Sequence, residues 1–128
     1  MSGPRLVFDT NAIVALLNGS SGLNDIVDSA EWIGISIINY LEFLAYTGLS
    51  PEDGALFTDF CSRIDVIGLK AEDAKLLDTT TRLRRDYRLK LPDAIIAATA
   101  LTSEATLVTA DDDFRRVSGL AVLNPAPK

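Results

Sequence analysis

The chain alternates short apolar runs with longer segments in which apolar positions recur every three or four residues. Leu6-Val7-Phe8 is a compact apolar run suited to a strand buried on both faces, and Ala12 to Leu17 follows with helical spacing. Asn11 stands where a helix cap belongs, and Asn18-Gly19 ends that helix. A Ser/Gly break at Ser20 to Gly22 precedes a short second helix through Ser29, and Trp32 to Ser36 (WIGIS) reads as a second strand. Asn39 opens a third helix, YLEFLAYTG, which Gly48 closes, and Asn39-x-x-Glu42 has the spacing of a capping box. Ser50-Pro51-Glu52-Asp53 is a helix start, with proline in the first turn and acids favourable to the dipole, and its helix runs to Arg63. Val66 to Leu69 reads as a third strand and Ala71 to Tyr87 as a long helix. Leu91-Pro92-Asp93 starts another helix, with the small-residue face Ala94, Ala97, Ala98 and Ala100. Thr106 to Thr109 is a fourth strand and Ala121 to Leu123 a fifth.

Strands alternating with helices imply βαβ units, so the expected architecture is a three-layer α/β/α sandwich around a central parallel sheet of four to five strands. No repeat, low-complexity stretch or internal linker divides the chain. Residues 1–128 therefore read as one domain with a loose tail over 124–128. At 128 residues and 48% hydrophobic content, a single core is well supplied. No apolar run approaches the ~18 residues needed to span a bilayer. The start, MSGPRLVFDTN, lacks the pattern of a secretory signal, so the chain reads as cytoplasmic with no membrane partner.

With one cysteine, Cys61, and no histidine, the sequence excludes an internal disulfide, a thiolate metal cluster, imidazole-ligated zinc and histidine-assisted nucleophiles. Any chemistry must come from carboxylates, hydroxyls, amines and metal. The acids are placed accordingly. Asp9, Glu42, Asp93 and the pair Asp111 and Asp113 all fall where a strand gives way to a helix. Each has an ordinary explanation as a helix cap or dipole partner. Together at one edge of a sheet, they would repel one another by several kcal/mol unless a cation intervened. Such a cluster suits a hard, oxygen-preferring divalent ion. Ser36 and Thr109, also at strand ends, are placed to hold a carboxylate or a water, and Asn11 and Asp113 stand with them as supporting groups.

The net charge of −6 runs against the basic face that a nucleic-acid binder usually presents. A divalent ion at the acids would offset part of it. Arg82, Arg84, Arg85, Arg88 and Lys90 also crowd one short stretch, enough for a local phosphate-holding patch. The alternative is that they form the solvated face of a helix.

Taken in order, these motifs resemble the PIN-domain family, most closely the VapC-like ribonuclease toxins of bacterial toxin–antitoxin pairs. The resemblance runs from Leu6 to Leu123. It rests on Asp9-Thr10-Asn11 at a strand end, Ser36 six residues before Glu42, Pro92-Asp93-Ala94 leading into IIAATAL, and Leu107-Val108-Thr109-x-Asp111-x-Asp113-Phe114. It implies a PIN-like fold and a magnesium-dependent endoribonuclease, with manganese as a possible substitute. Asp9 and Asp93 would contact the metal, Glu42 and Asp111 would complete the acidic pocket, and Asp113 would lie at its margin. It also implies an RNA substrate (tRNA, rRNA or mRNA), a homodimer, and a small antitoxin lying across the acidic groove. Tyr40, Leu41, Phe43, Leu44 and Tyr46 cover more than one stripe of the helix bearing Glu42, which suits such a partner.

Two other acid-bearing α/β readings fit less well. A phospho-acceptor receiver needs an acid after the third strand, where Ile67-Gly68-Leu69-Lys70 has none. A haloacid-dehalogenase-type phosphatase needs an acid two residues after the first, where Asn11 stands. The remaining alternatives are a catalytically silent PIN fold serving as an interaction module, which the full set of acids disfavours, and a solitary PIN nuclease without an antitoxin.

Overall fold

The computed structural model describes residues 3–125. Of the tail expected over 124–128, residues 126–128 lie outside the described residues. Five strands form one parallel sheet: β1 (Arg5–Phe8), β2 (Trp32–Ser36), β3 (Asp65–Ile67), β4 (Thr106–Val108) and β5 (Val122–Leu123), in the order β3-β2-β1-β4-β5. Among the described residues six helices join them: α1 (Thr10–Leu17), α2 (Ser21–Ser29), α3 (Ile37–Leu44), α4 (Pro51–Ser62), α5 (Ala74–Tyr87) and α6 (Leu91–Thr102). A 3-10 turn over Asp112–Arg116 follows β4 and has no counterpart in the apolar periodicity.

The strands are apolar on both faces because the sheet is covered twice. From β1, Leu6 and Phe8 enter a core with Ile13, Leu23, Ile35, Phe43 and Phe57, whereas Val7 enters a second core with Leu83, Ile96, Leu107 and Phe114. These are the two packing layers of the expected sandwich. Helix α6 is the most deeply set. Ala94 through Ala100 are at most 4% exposed, and the alanines let its backbone lie close to the sheet and to α5. On the other face Phe43 stacks on Phe57 with ring centroids 4.0 Å apart and planes at 14°, which ties α3 to α4.

Several boundaries differ from the sequence expectation, each for a local reason. Asp9, not Asn11, caps α1, with its carboxylate accepting from Thr10 N. Ser36, not Asn39, caps α3, with Oγ accepting from Ile38 N, so no Asn39–Glu42 capping box forms. Helix α3 stops at Leu44, where Tyr46 N turns back to Phe43 O and the chain reverses toward Ser50. Ser20 caps α2, and the helix runs straight through Gly22. Asp73 caps α5 by accepting from Leu76 N, so that helix begins at Ala74 and not at Ala71. Strand β3 ends at Ile67 because its partner ends there. Ile67 pairs with Ser36, and beyond Ser36 the neighbouring chain is already helical. The proline-led start at Ser50 is as expected, with Ser50 Oγ accepting from Asp53 N.

Candidate functional site

The chain runs outward from β1 to β2 and β3, then crosses back to β4 and β5. The crevice above the carboxyl ends of β1 and β4 is therefore the point where the winding reverses, the usual place for a ligand in an open α/β sheet. Asp9 occupies it. The pairing Phe8↔Val108 brings Thr109 beside Asp9, and the pairing of Val7 with Gly34 carries Ser36 to the same edge.

Asp9 is 9% exposed, and a carboxylate so placed must be compensated. Four protein donors do so. Oδ1 accepts from Thr10 N at 2.8 Å and from Asn39 Nδ2 at 3.0 Å. Oδ2 accepts from Thr109 Oγ1 at 2.7 Å and from Asn11 Nδ2 at 3.3 Å. Asn11 binds in three directions, since Nδ2 also reaches Thr109 Oγ1 and Oδ1 accepts from Ala110 N at 2.9 Å. The capping role expected of Asn11 is thus replaced by a bridge between the β1 and β4 ends.

Two residues with no part in the site as read from sequence, Thr10 and Asn39, join Asp9 to Glu42. Asn39 is fully buried, and its Nδ2 donates both to Asp9 Oδ1 and to Thr10 Oγ1 at 3.0 Å. Thr10 Oγ1 in turn donates to Glu42 Oε1 at 2.9 Å, holding an exposed carboxylate in place. The signal was present in the spacing of Asn39 and Glu42, one helical turn apart on α3. Asn39 Oδ1 is buried with no partner, alone in this among the described residues. Leaving such an oxygen unpaired costs about 1–3 kcal/mol, so the stability of the fold does not explain the asparagine. What it supplies is a pair of donors to the carboxylate network.

Asp93 sits in the first turn of α6 and Asp111 caps the 3-10 turn, where Oδ1 accepts from Asp113 N at 2.9 Å. Among the described residues no hydrogen bond or ion pair reaches the Asp93 carboxylate. Its pKa is raised above the ordinary 3.8. Burial is the largest cause, followed by the charges of Asp111, Asp9 and Glu42, with Lys90 acting in the opposite sense. Asp9, Glu42 and Asp111 are therefore each within electrostatic reach of Asp93. Ser36, fully buried, is engaged as the α3 cap and holds no carboxylate. Arg88 and Asp113 line a cavity beside Asp93, together with Lys90, Asp111 and Arg116. Arg82, Arg84 and Arg85 are exposed along α5 and do not line it. Nothing in the linear sequence singled out Arg116, which arrives through the fold of the segment after β4.

Among the described residues no three acids stand close enough to enclose one ion. The donor set nevertheless fits magnesium, which keeps several waters and takes only one or two carboxylates, whereas ions that need a full protein cage would not be satisfied. Asp93, whose carboxylate accepts no hydrogen bond among the described residues, would be the open ligand. Asp9, already saturated with donors, is fixed in direction rather than free to move.

A family model described as PIN domain matches residues 6–120. Among solved structures, a toxin–antitoxin complex from Klebsiella pneumoniae contains a chain with TM-score 0.76 and 27% identity, covering 94% of this chain and 98% of its own. DNA-bound VapBC from Salmonella typhimurium gives a TM-score of 0.77 at 22% identity, covering 98% and 100%. VapBC2 from Rickettsia felis, bound to a DNA fragment from its promoter, gives 0.76 at 23%, covering 94% and 98%. The last two likenesses are of fold alone. No curated protein sequence matches the chain.

Proposed function

The chain belongs to the PIN domain family, and on that premise we propose that it is a metal-dependent endoribonuclease, the toxin of a toxin–antitoxin pair. One observation carries the reading. Four carboxylates from four separate segments converge at the winding-reversal point of the sheet, and the least supported of them, Asp93, has its pKa pushed up by burial and by the other three. A fold selected for stability alone would not gather them.

Asp93 and Asp9 would hold a magnesium ion, with Asp111 beside it. The chemistry such an ion supplies is neutralisation of phosphate charge and acidification of water. The residues do the rest. Thr10, Asn39, Thr109 and Asn11 fix the direction of Asp9, so the site is shaped before substrate arrives. Thr10 holds Glu42 by Oε1, which leaves Oε2 to take a proton from the attacking water. Because the sequence offers no histidine, a carboxylate has to serve as the proton acceptor.

An antitoxin partner is supported by the surface next to the site as well as by the Klebsiella complex. On and after α3, Leu41, Leu44 and Tyr46 are 54%, 43% and 67% exposed, while Phe43 faces inward. A cavity of ≈ 160 Å³ lined by Val14, Leu17, Phe43, Tyr46 and Leu49 opens beside them. Apolar surface of this kind suits the helix of a small protein partner.

The test is cleavage of a mixed RNA pool by the partner-free protein with magnesium and with EDTA. Cutting only with magnesium is expected. No cutting together with no metal binding would favour a silent interaction module.

A further inference from the structure

Beside Asp93 lies a cavity of ≈ 130 Å³ whose charged lining consists of three acids, Asp93, Asp111 and Asp113, and three bases, Arg88, Lys90 and Arg116. Leu89 and Phe114, 5% and 1% exposed, form its apolar floor. Six opposite charges around so small a space would ordinarily neutralise one another in pairs. Here they do not. The ion pairs among the described residues are Arg5–Glu31, Arg63–Asp59 and Arg115–Asp112, and none joins a base of this cavity to one of its acids.

The three bases come from the junction of α5 and α6 and from the end of the 3-10 turn. Arg88 ends α5 in the left-handed region, with φ 55° and ψ 36°, and Lys90 immediately precedes α6. Arg116 is tied through Nη1 to Tyr87 O, and Tyr87 Oη accepts from Ser118 N, so the segment after the 3-10 turn is fastened to the end of α5. Exposed bases that make no ion pair with the neighbouring acids stay available to an anion from solution.

We propose that this cavity seats a backbone phosphate of the RNA, gripped by Arg88 and Lys90, with Arg116 forming the wall beside it. The inference deepens the nuclease reading and rests on it. A phosphodiester strand entering a carboxylate-lined crevice is repelled by every acid there, so a positive contact next to the reaction centre is needed to admit it. An arginine offers a phosphate two parallel N–H donors, and a lysine adds a mobile point charge. Placing both within the site explains how a chain of net charge −6 takes hold of RNA. It also moves the phosphate contact from the exposed arginines of α5 to the bend between α5 and α6. Arg88 and Lys90 act as positioning residues. They fix where the strand lies relative to Asp93 and take no part in proton transfer.

The experiment compares wild type, R88Q/K90Q, R82Q/R84Q/R85Q and the charge-matched control R63Q/K70Q. Two quantities are read: steady-state cleavage of a short single-stranded RNA with magnesium, and anisotropy binding of the same labelled RNA to each protein carrying D93N, over a salt series. The expected result is that R88Q/K90Q raises KM about tenfold with kcat within about twofold. It should also flatten the slope of log K against log salt by about 0.7, the value for one single-strand phosphate. The control should change neither. Unchanged KM and slope in R88Q/K90Q would overturn the inference, as would a loss carried by R82Q/R84Q/R85Q instead. If wild type cuts nothing, the nuclease reading fails, and the salt slopes still decide whether this cavity holds phosphate.

Discussion

Asp93 and Asn39 each stand at the candidate site at some cost to the fold. The folded Asp93 carboxyl holds its proton more tightly than the unfolded one, chiefly through burial and then through Asp111, Asp9 and Glu42. Metal-free stability is therefore favoured below the ordinary 3.8 and declines as pH rises from 3.8 through the raised folded value. Asp93→Asn should lack that decline. In EDTA its melting temperature should equal or exceed that of wild type at pH 7, with the difference shrinking toward pH 4. A mutant clearly less stable at pH 7 would mean that Asp93 serves the α6 dipole instead. Asn39→Leu removes an unpaired buried oxygen together with two donors. Denaturant unfolding should show stability within about 1 kcal/mol of wild type. Calorimetric affinity for manganese and RNA cleavage should each fall about 10–100-fold, as for other groups that orient a metal ligand. Asn39 was misread from sequence because an asparagine three residues before a glutamate has the spacing of a capping box. Only the fold shows Ser36 already occupying the cap and Asn39 turned toward Asp9.

At the scale of elements, what was legible followed from period and punctuation. WIGIS was bounded correctly as β2, the Ser50-Pro51 start of α4 came from its serine cap and proline, and the Leu91-Pro92 start of α6 came from proline alone. What was not legible depended on partners. The end of β3 is set by where β2 stops, and the start of α5 by whether Asp73 or an earlier residue caps it. The 3-10 turn after β4 is written in no apolar repeat, yet it brings Asp111, Asp113 and Arg116 to the site. Helix α6 connects packing to chemistry most directly, since its buried alanines set the height at which Asp93 stands above the sheet. Ala97, with no exposed surface, has no room for a larger side chain. Ala97→Leu should cost about 1–3 kcal/mol in denaturant unfolding. It should also lower kcat even at temperatures where the protein is fully folded, because the shift needed to admit the added atoms moves Asp93. Full activity in a folded Ala97→Leu protein would show that the site tolerates movement of α6.

For the whole molecule, the winding of the sheet is what brings the dispersed acids to one end of it. Asp9, Glu42, Asp93 and Asp111 are separated along the sequence by up to 102 positions, from 9 to 111, yet the order β3-β2-β1-β4-β5 returns them to one crevice. The alternation of strands and helices along the chain makes the placement of these acids at one sheet edge legible in the sequence. The hydrogen bonds that fix Asp9, and the separation of acids from bases around the neighbouring cavity, were not readable, because they depend on side-chain directions at contacts between distant segments. Among the described residues no helix is long and apolar enough to cross a membrane. The most direct test of the central claim is a magnesium titration of RNA cleavage by wild type beside Asp93→Asn, with folding of both confirmed. The account predicts saturable, magnesium-dependent cutting by wild type and a loss of at least about 100-fold in the mutant. Equal cutting by both proteins, or cutting that persists in EDTA, would contradict it.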